Sequence, residues 1–106
     1  DIDESLSDEE REISLIMIYR IIQECVYNAI EHSEGNRIEI LLKEKKNVFQ
    51  IKICDNGIGF DLKKAEKKDR HFGLRVVKER VFLLNGRIEI DTQKGTSIFI
   101  EIPKKQ

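Results

Sequence analysis

Four short stretches of this chain alternate apolar with polar residues. They are Ile38, Ile40 and Leu42 within 37–43, Phe49, Ile51 and Ile53 within 48–54, Ile88 with Ile90, and Ile98, Ile100 and Ile102 before Pro103. A period of two gives each stretch one apolar and one wet face, as in a half-buried strand. Lys45, Lys46 and Asn47 turn between the first two runs, and Gln93 to Gly95 turn between the last two, so the runs pair as two antiparallel hairpins. A sheet greasy on one side needs helices to cover it.

Two segments can supply them. Ser7 followed by Glu10 is a capping-box pattern, and Asp8 and Glu9 suit the positive end of a helix starting there. From Ile13 to Ala29 apolar residues cover most of the circumference, predicting a helix largely inside the domain with a polar stripe at Glu24, Asn28 and His32. Leu74, Val77, Val81 and Leu84 recur at helical spacing until Asn85 and Gly86, where a left-handed cap ends the second helix. Between strand and second helix, 61–70 carries five cations (Lys63, Lys64, Lys67, Lys68, Arg70) against three anions and no apolar period, which reads as a loop. The order helix, hairpin, loop, helix, hairpin predicts an α+β, two-layer sandwich, its mixed or antiparallel sheet covered on one face by helices.

At 106 residues, with 40% hydrophobic and 37% charged, residues 1–106 make one domain. A formal charge of -1 gives no global field to collect nucleic acid or anionic lipid, so neither nucleic acid nor a membrane is expected to contact this domain. Cys25 and Cys54 are too few for a disulfide framework and suit a reducing, cytoplasmic setting as small buried residues. No apolar run approaches the roughly 20 residues that span a bilayer. The chain opens on Asp1 rather than methionine, so it is read as a piece of something longer whose other parts could reach a membrane.

Four local patterns can carry chemistry. Asp55, Asn56, Gly57, Ile58, Gly59 and Phe60 follow a strand directly: the glycines let backbone approach a ligand, and the aspartate offers a fixed acceptor for an exocyclic amine. A plain turn is the alternative. Glu24, Asn28 and His32 lie nearly on one line of their helix, where a carboxylate and an amide one turn apart can offer oxygens to magnesium, or can simply form a solvent face. His71, Phe72, Gly73 and Leu74 open the second helix, and a glycine there leaves amides for an anion or makes a routine cap. Gly95 and Thr96 precede the last strand, where the hydroxyl can donate and accept or merely complete a turn.

Taken in order, these patterns resemble the ATP-binding catalytic domain of two-component sensor histidine kinases, in the GHKL group that also holds gyrase-type and mismatch-repair ATPases. "ECVYNAIEHS" (24–33) looks like the N box, "DNGIGF" (55–60) the G1 box, "HFGLRVVKERVFLLNG" (71–86) the G2 region, and "GTSIFIEIP" completes the signature, a likeness running from about Tyr19 to Pro103. The form with Glu24 first in the N box, a short lid and "HFGL" is similar to the subfamily that phosphorylates NarL-type response regulators.

The resemblance implies ATP and Mg2+ as cofactors. Asp55 would hold the adenine amino group, Gly57 and Gly59 would shape the pocket, Asn28 would ligate magnesium, and Thr96 would support the adenine end. Glu24 would be a base or orienter for the attacking histidine, while His32, Arg70, His71, Gly73 and Leu74 would complete the nucleotide contacts. Glu31 departs from the pattern, standing where many members carry Lys or Arg, so Lys67, Lys68, Arg70, His71 or Arg75 would have to supply the positive charge. Of the two histidines, His32 and His71, both fall in nucleotide motifs. The phosphoacceptor is therefore expected on dimerisation helices outside this chain, with a response regulator downstream. The competing readings are an anti-sigma-type serine kinase, a GHKL-type ATP hydrolase and a non-catalytic interaction module.

Overall fold

In the computed structural model, residues 6–32, 35–57, 72–93 and 95–104 are described. The expected loop over 61–70, and the proposed site residues Gly59, Arg70 and His71, lie outside them; His32 and Gly73 are described as helical backbone only. Chain order is α1 (Asp8–His32), β1 (Ile38–Glu44), β2 (Val48–Asp55), α2 (Phe72–Leu83), β3 (Arg87–Asp91) and β4 (Thr96–Pro103). The capping box forms as expected: Ser7 Oγ accepts from the Glu10 amide at 3.1 Å and Glu10 Oε1 accepts from the Ser7 amide at 3.2 Å. At the far end of α2, Asn85 takes φ 58° and the Asn85 and Gly86 amides donate back to the Phe82 and Val81 carbonyls at 2.9 Å each, a Schellman closure.

The four strands form one antiparallel sheet in the order β1-β2-β4-β3. The last strand thus inserts beside β2, and the two hairpins meet along the β2–β4 seam. Alternation puts Phe49, Ile51 and Ile53 with Ile98, Ile100 and Ile102 on the helix-covered face, all buried. On the other face the registered row Gln50, Glu101 and Arg87 is joined by a 2.9 Å bond from Gln50 Nε2 to Glu101 and by the Arg87–Glu101 ion pair. From the helices, Ile18, Ile21 and Cys25 of α1 and Leu74, Val77 and Val81 of α2 close the core.

Two expectations of burial are corrected. α1 is not largely inside: it rests on β2 and α2 along one stripe, leaving Ile13, Ile16, Met17, Tyr19, Tyr27 and Ile30 exposed. Two helices side by side on one sheet each bury only the face turned inward. β1 is likewise less covered than its alternation suggests, with Ile40 48% and Leu42 43% exposed, because it is the edge strand and α1 lies over its neighbour. The reading that no run reaches bilayer length also needs amendment. By length and composition alone α1 is apolar enough to cross a membrane, with a mean hydropathy of 1.3 over its best window. A windowed mean tolerates Arg20 and Glu24, which a search for unbroken apolar residues does not. Here its Ile18, Ile21 and Cys25 pack against the sheet.

Candidate functional site

β2 and β4 run antiparallel, so the end of one meets the start of the other, and Asp55 is the register partner of Thr96. This places a carboxylate at the tip of the sheet's central seam. Asp55 Oδ1 accepts from the Gly57 amide at 2.8 Å and from the Thr96 amide at 3.3 Å. Two backbone donors on one oxygen fix the carboxylate's rotation, and no hydrogen bond from a described residue reaches Oδ2. The turn before Thr96 is drawn tight over this point: Gly95 adopts φ 74°, and a Cβ there would collide with the Asp55 carbonyl oxygen.

α1 brings its polar stripe to the same end. Arg11, near its start, pairs with Glu44 at the end of β1 opposite Asp55's register partner Ile38, so the helix runs antiparallel to β1. β2 from Phe49 to Asp55 covers about 20 Å, a length that α1 covers between Arg11 and Glu24. Glu24 and Asn28 therefore fall toward the Asp55 end of the sheet. The arrival of the helix is confirmed by the next residues: a Cβ on Gly35 would stand 2.5 Å from Asn56 Oδ1 and 2.6 Å from the Gly57 nitrogen.

Two side-chain atoms among the described residues are buried without a partner, Asn28 Nδ2 and Thr96 Oγ1. Buried polar groups are nearly always hydrogen-bonded, because leaving one unmade costs about 1–3 kcal/mol. Both orphans belong to residues singled out from the sequence. Because an amide can turn end for end about its last torsion, Asn28 can present either nitrogen or oxygen at that buried position. This donor set, an amide and a carboxylate on one helix face, fits a hard, oxygen-seeking divalent cation. Glu24 is half-buried and Leu74 is in the core, while Glu31 and Arg75 are exposed.

Cys25, one residue along from Glu24, is buried, and its thiol is pushed up to about 12 by that burial and, secondarily, by the Glu24 charge. It is a neutral packing group, as expected. Cys54 is only half-buried, contrary to its expected burial, since it faces away from the helices one residue before the strand's tip.

Sequence reasoning missed one part of this site. Asn56 Oδ1 accepts from the amides of Asn36 at 3.0 Å and Arg37 at 2.9 Å, and Asn56 Nδ2 donates to Asn36 Oδ1 at 2.7 Å. Glu34, Gly35 and Asn36 read as mere punctuation in the sequence. A glycine and an asparagine between helix and strand, matched by a second asparagine-glycine pair after the next strand, were the only available signal.

Comparison with known proteins follows the same lines. Among curated relatives, the signal transduction histidine-protein kinase/phosphatase DegS of Bacillus subtilis is 46% identical over 88 residues, covering 82% of this chain and 23% of that protein. The sensor histidine kinase YdfH of the same organism is 41% identical over 88 residues, covering 80% and 22%. The chain thus spans less than a quarter of the length of these relatives. Among solved structures, the histidine kinase domain of the Erythrobacter litoralis EL346 blue-light activated kinase superposes with a TM-score of 0.70 at 20% identity, covering 85% of this chain and 44% of that one. Acinetobacter baumannii AdeS gives 0.70 at 24% identity, covering 85% and 47%. At such identities the superpositions establish the fold, which is the expected two-layer α+β sandwich. The sequence model of the histidine kinase-, DNA gyrase B- and HSP90-like ATPases matches residues 14–106, from the first turns of α1 through the last strand, and the chain belongs to that family.

Proposed function

We propose that this chain binds Mg-ATP and delivers the γ-phosphoryl group to a histidine carried by dimerisation helices of the parent kinase, for transfer to a response regulator. The observation that carries this reading is the Asp55 carboxylate held by the Gly57 and Thr96 amides beside the buried, unpartnered Thr96 hydroxyl. A carboxylate fixed in this way is a ready acceptor for the adenine amino group, and the neighbouring hydroxyl supplies a further polar contact at the base. The names of the relatives support the kinase assignment, since DegS and YdfH are both called histidine kinases.

Asn28 would hold magnesium, which neutralises triphosphate charge when bound. The remaining work belongs to the chain. Asp55, Gly57, Gly59 and Thr96 bind and orient the base, and Leu74 gives an apolar wall. His32, Arg70, His71 and Gly73 contact the phosphates, compensating for Glu31 where a cation is common. Glu24 receives or orients the proton of the attacking imidazole. Phosphoryl transfer asks the protein mainly for placement and charge neutralisation, so these roles suffice.

Titration with ATP and with a nonhydrolysable analogue, with and without magnesium, tests binding. Incubation with labelled ATP and a separately supplied acceptor helix pair tests transfer. Expected results are magnesium-strengthened binding, little labelling of this chain alone, and an acid-labile label on the added helices. Acid-stable label would indicate a serine kinase, sustained hydrolysis without an acceptor an ATPase machine, and absence of binding an interaction module. Each would overturn the proposal.

A further inference from the structure

The Asn56 clamp joins two segments that the proposed chemistry treats as separate: the end of the helix carrying Asn28, and the loop carrying Asp55. Besides its three side-chain bonds to Asn36 and Arg37, Asn56 donates its own amide to the Arg37 carbonyl at 3.2 Å. Both ends of the side-chain amide are thereby used, on backbone and side chain of the chain just after α1. Gly35 allows the two segments to touch, since any Cβ there would strike Asn56 Oδ1 and the Gly57 nitrogen. Gly57 is also the residue whose amide holds Asp55 Oδ1. Asn56 thus sits between the carboxylate and one of its two anchors, tied to a third segment.

We propose that Asn56 is a positioning residue for adenine recognition: docked on Asn36 and Arg37 across Gly35, it fixes the Asp55–Gly57 backbone so that the carboxylate faces the base. The inference rests on the reading of Asp55 as the adenine contact. Asn56 itself touches no nucleotide in this account; it acts through the Gly57 amide and the strand end. A turn that merely joined two elements would need neither the cross-loop bonds nor a glycine facing it from another segment.

The test compares affinity for ATP with affinity for purine riboside triphosphate, which lacks the 6-amino group, using the intact protein. Asp55→Asn is the reference, and should weaken ATP selectively. Asn56→Ala should lower ATP affinity about tenfold, the scale of one misaligned hydrogen bond to a charged group, and the analogue's affinity less than twofold. Gly35→Ala, which drives a methyl into the same contact, should show the same selectivity. Asn36→Ala removes only the Nδ2 partner and should show a smaller loss of the same kind. If Asn56→Ala does not fold, the Gly35 and Asn36 variants decide the matter. Equal losses for both nucleotides, or none, in variants that fold would overturn the positioning role while Asp55→Asn remained selective. A nonselective Asp55→Asn would instead overturn the reading of Asp55 on which the inference rests.

Discussion

The two ends of the central sheet are built from similar residues and treated in opposite ways. At the end near the start of α1, Glu44 accepts from Arg11 at 2.8 Å and from Lys104 at 2.9 Å, and the Lys104 ammonium lies 5.2 Å from the centre of the buried Phe49 ring. Helix, edge strand and last strand are stitched together by charges that satisfy one another. At the other end, Asp55 is fixed, among the described residues, by two backbone amides, while Asn28 Nδ2 and Thr96 Oγ1 are buried without partners. Pairing Glu44 with two cations at one end serves the fold. Leaving buried polar atoms unpaired at the other costs stability, and the proposed nucleotide and magnesium would pair them, a division expected where a local rule is broken for function.

The largest predicted effect probes the open end directly. Asn28→Ala should reduce magnesium-dependent transfer by about 100-fold, the scale of one preorganised electrostatic contact, with a smaller loss of adenine recognition. Measuring transfer rate and analogue affinity on the same preparation separates the two; unchanged transfer removes Asn28 from the metal role. Asp55→Asn should come next, weakening ATP binding about tenfold by calorimetry, because an amide replaces a charged acceptor.

Thr96→Val sharpens the contrast, because its two effects have opposite signs. Replacing a buried, unpartnered hydroxyl by a methyl should raise the stability of the nucleotide-free protein by about 1 kcal/mol in denaturant unfolding. The same change should weaken ATP binding about threefold by removing a polar contact of ordinary strength. A loss of stability would mean that the hydroxyl is satisfied in solution and that this end is not held open for a ligand.

How much of this was legible beforehand follows from the range of each signal. Strands, turns and caps are local, so the capping box at Ser7 and Glu10, the left-handed Asn85 and the alternating inner faces could be read from neighbours in sequence. The motif order pointed to Asn28, Asp55 and Thr96, which the fold brings to one end of the sheet. Burial of α1 and β1 was overestimated because composition reports how greasy a surface is, not which elements remain to cover it. The Asn56–Asn36 clamp was invisible for a related reason. Its residues lie on segments separated by an entire hairpin, and nothing in either segment alone says that they touch.

The smallest expected effect lies at the closed end and concerns acid. Hydrogen bonds from Arg11 and Lys104 hold the Glu44 carboxyl well below the ordinary carboxylate range, at about 2. A group whose pKa is lower folded than unfolded contributes stability that is complete above its unfolded value and is lost as the pH falls through the folded one. Glu44 should therefore contribute fully at neutral pH, lose its contribution from the ordinary glutamate range downward, and have none left below about 2. Because the pair is exposed, solvent screens most of the gain. Carboxyl NMR titration should show Glu44 ionised after the unpaired glutamates have protonated, and Glu44→Gln should flatten the acid limb of the stability curve only slightly while leaving ATP affinity unchanged. A midpoint in the ordinary glutamate range would show that the charges at this end are not paired in solution, and the contrast between the two ends would lose its closed half.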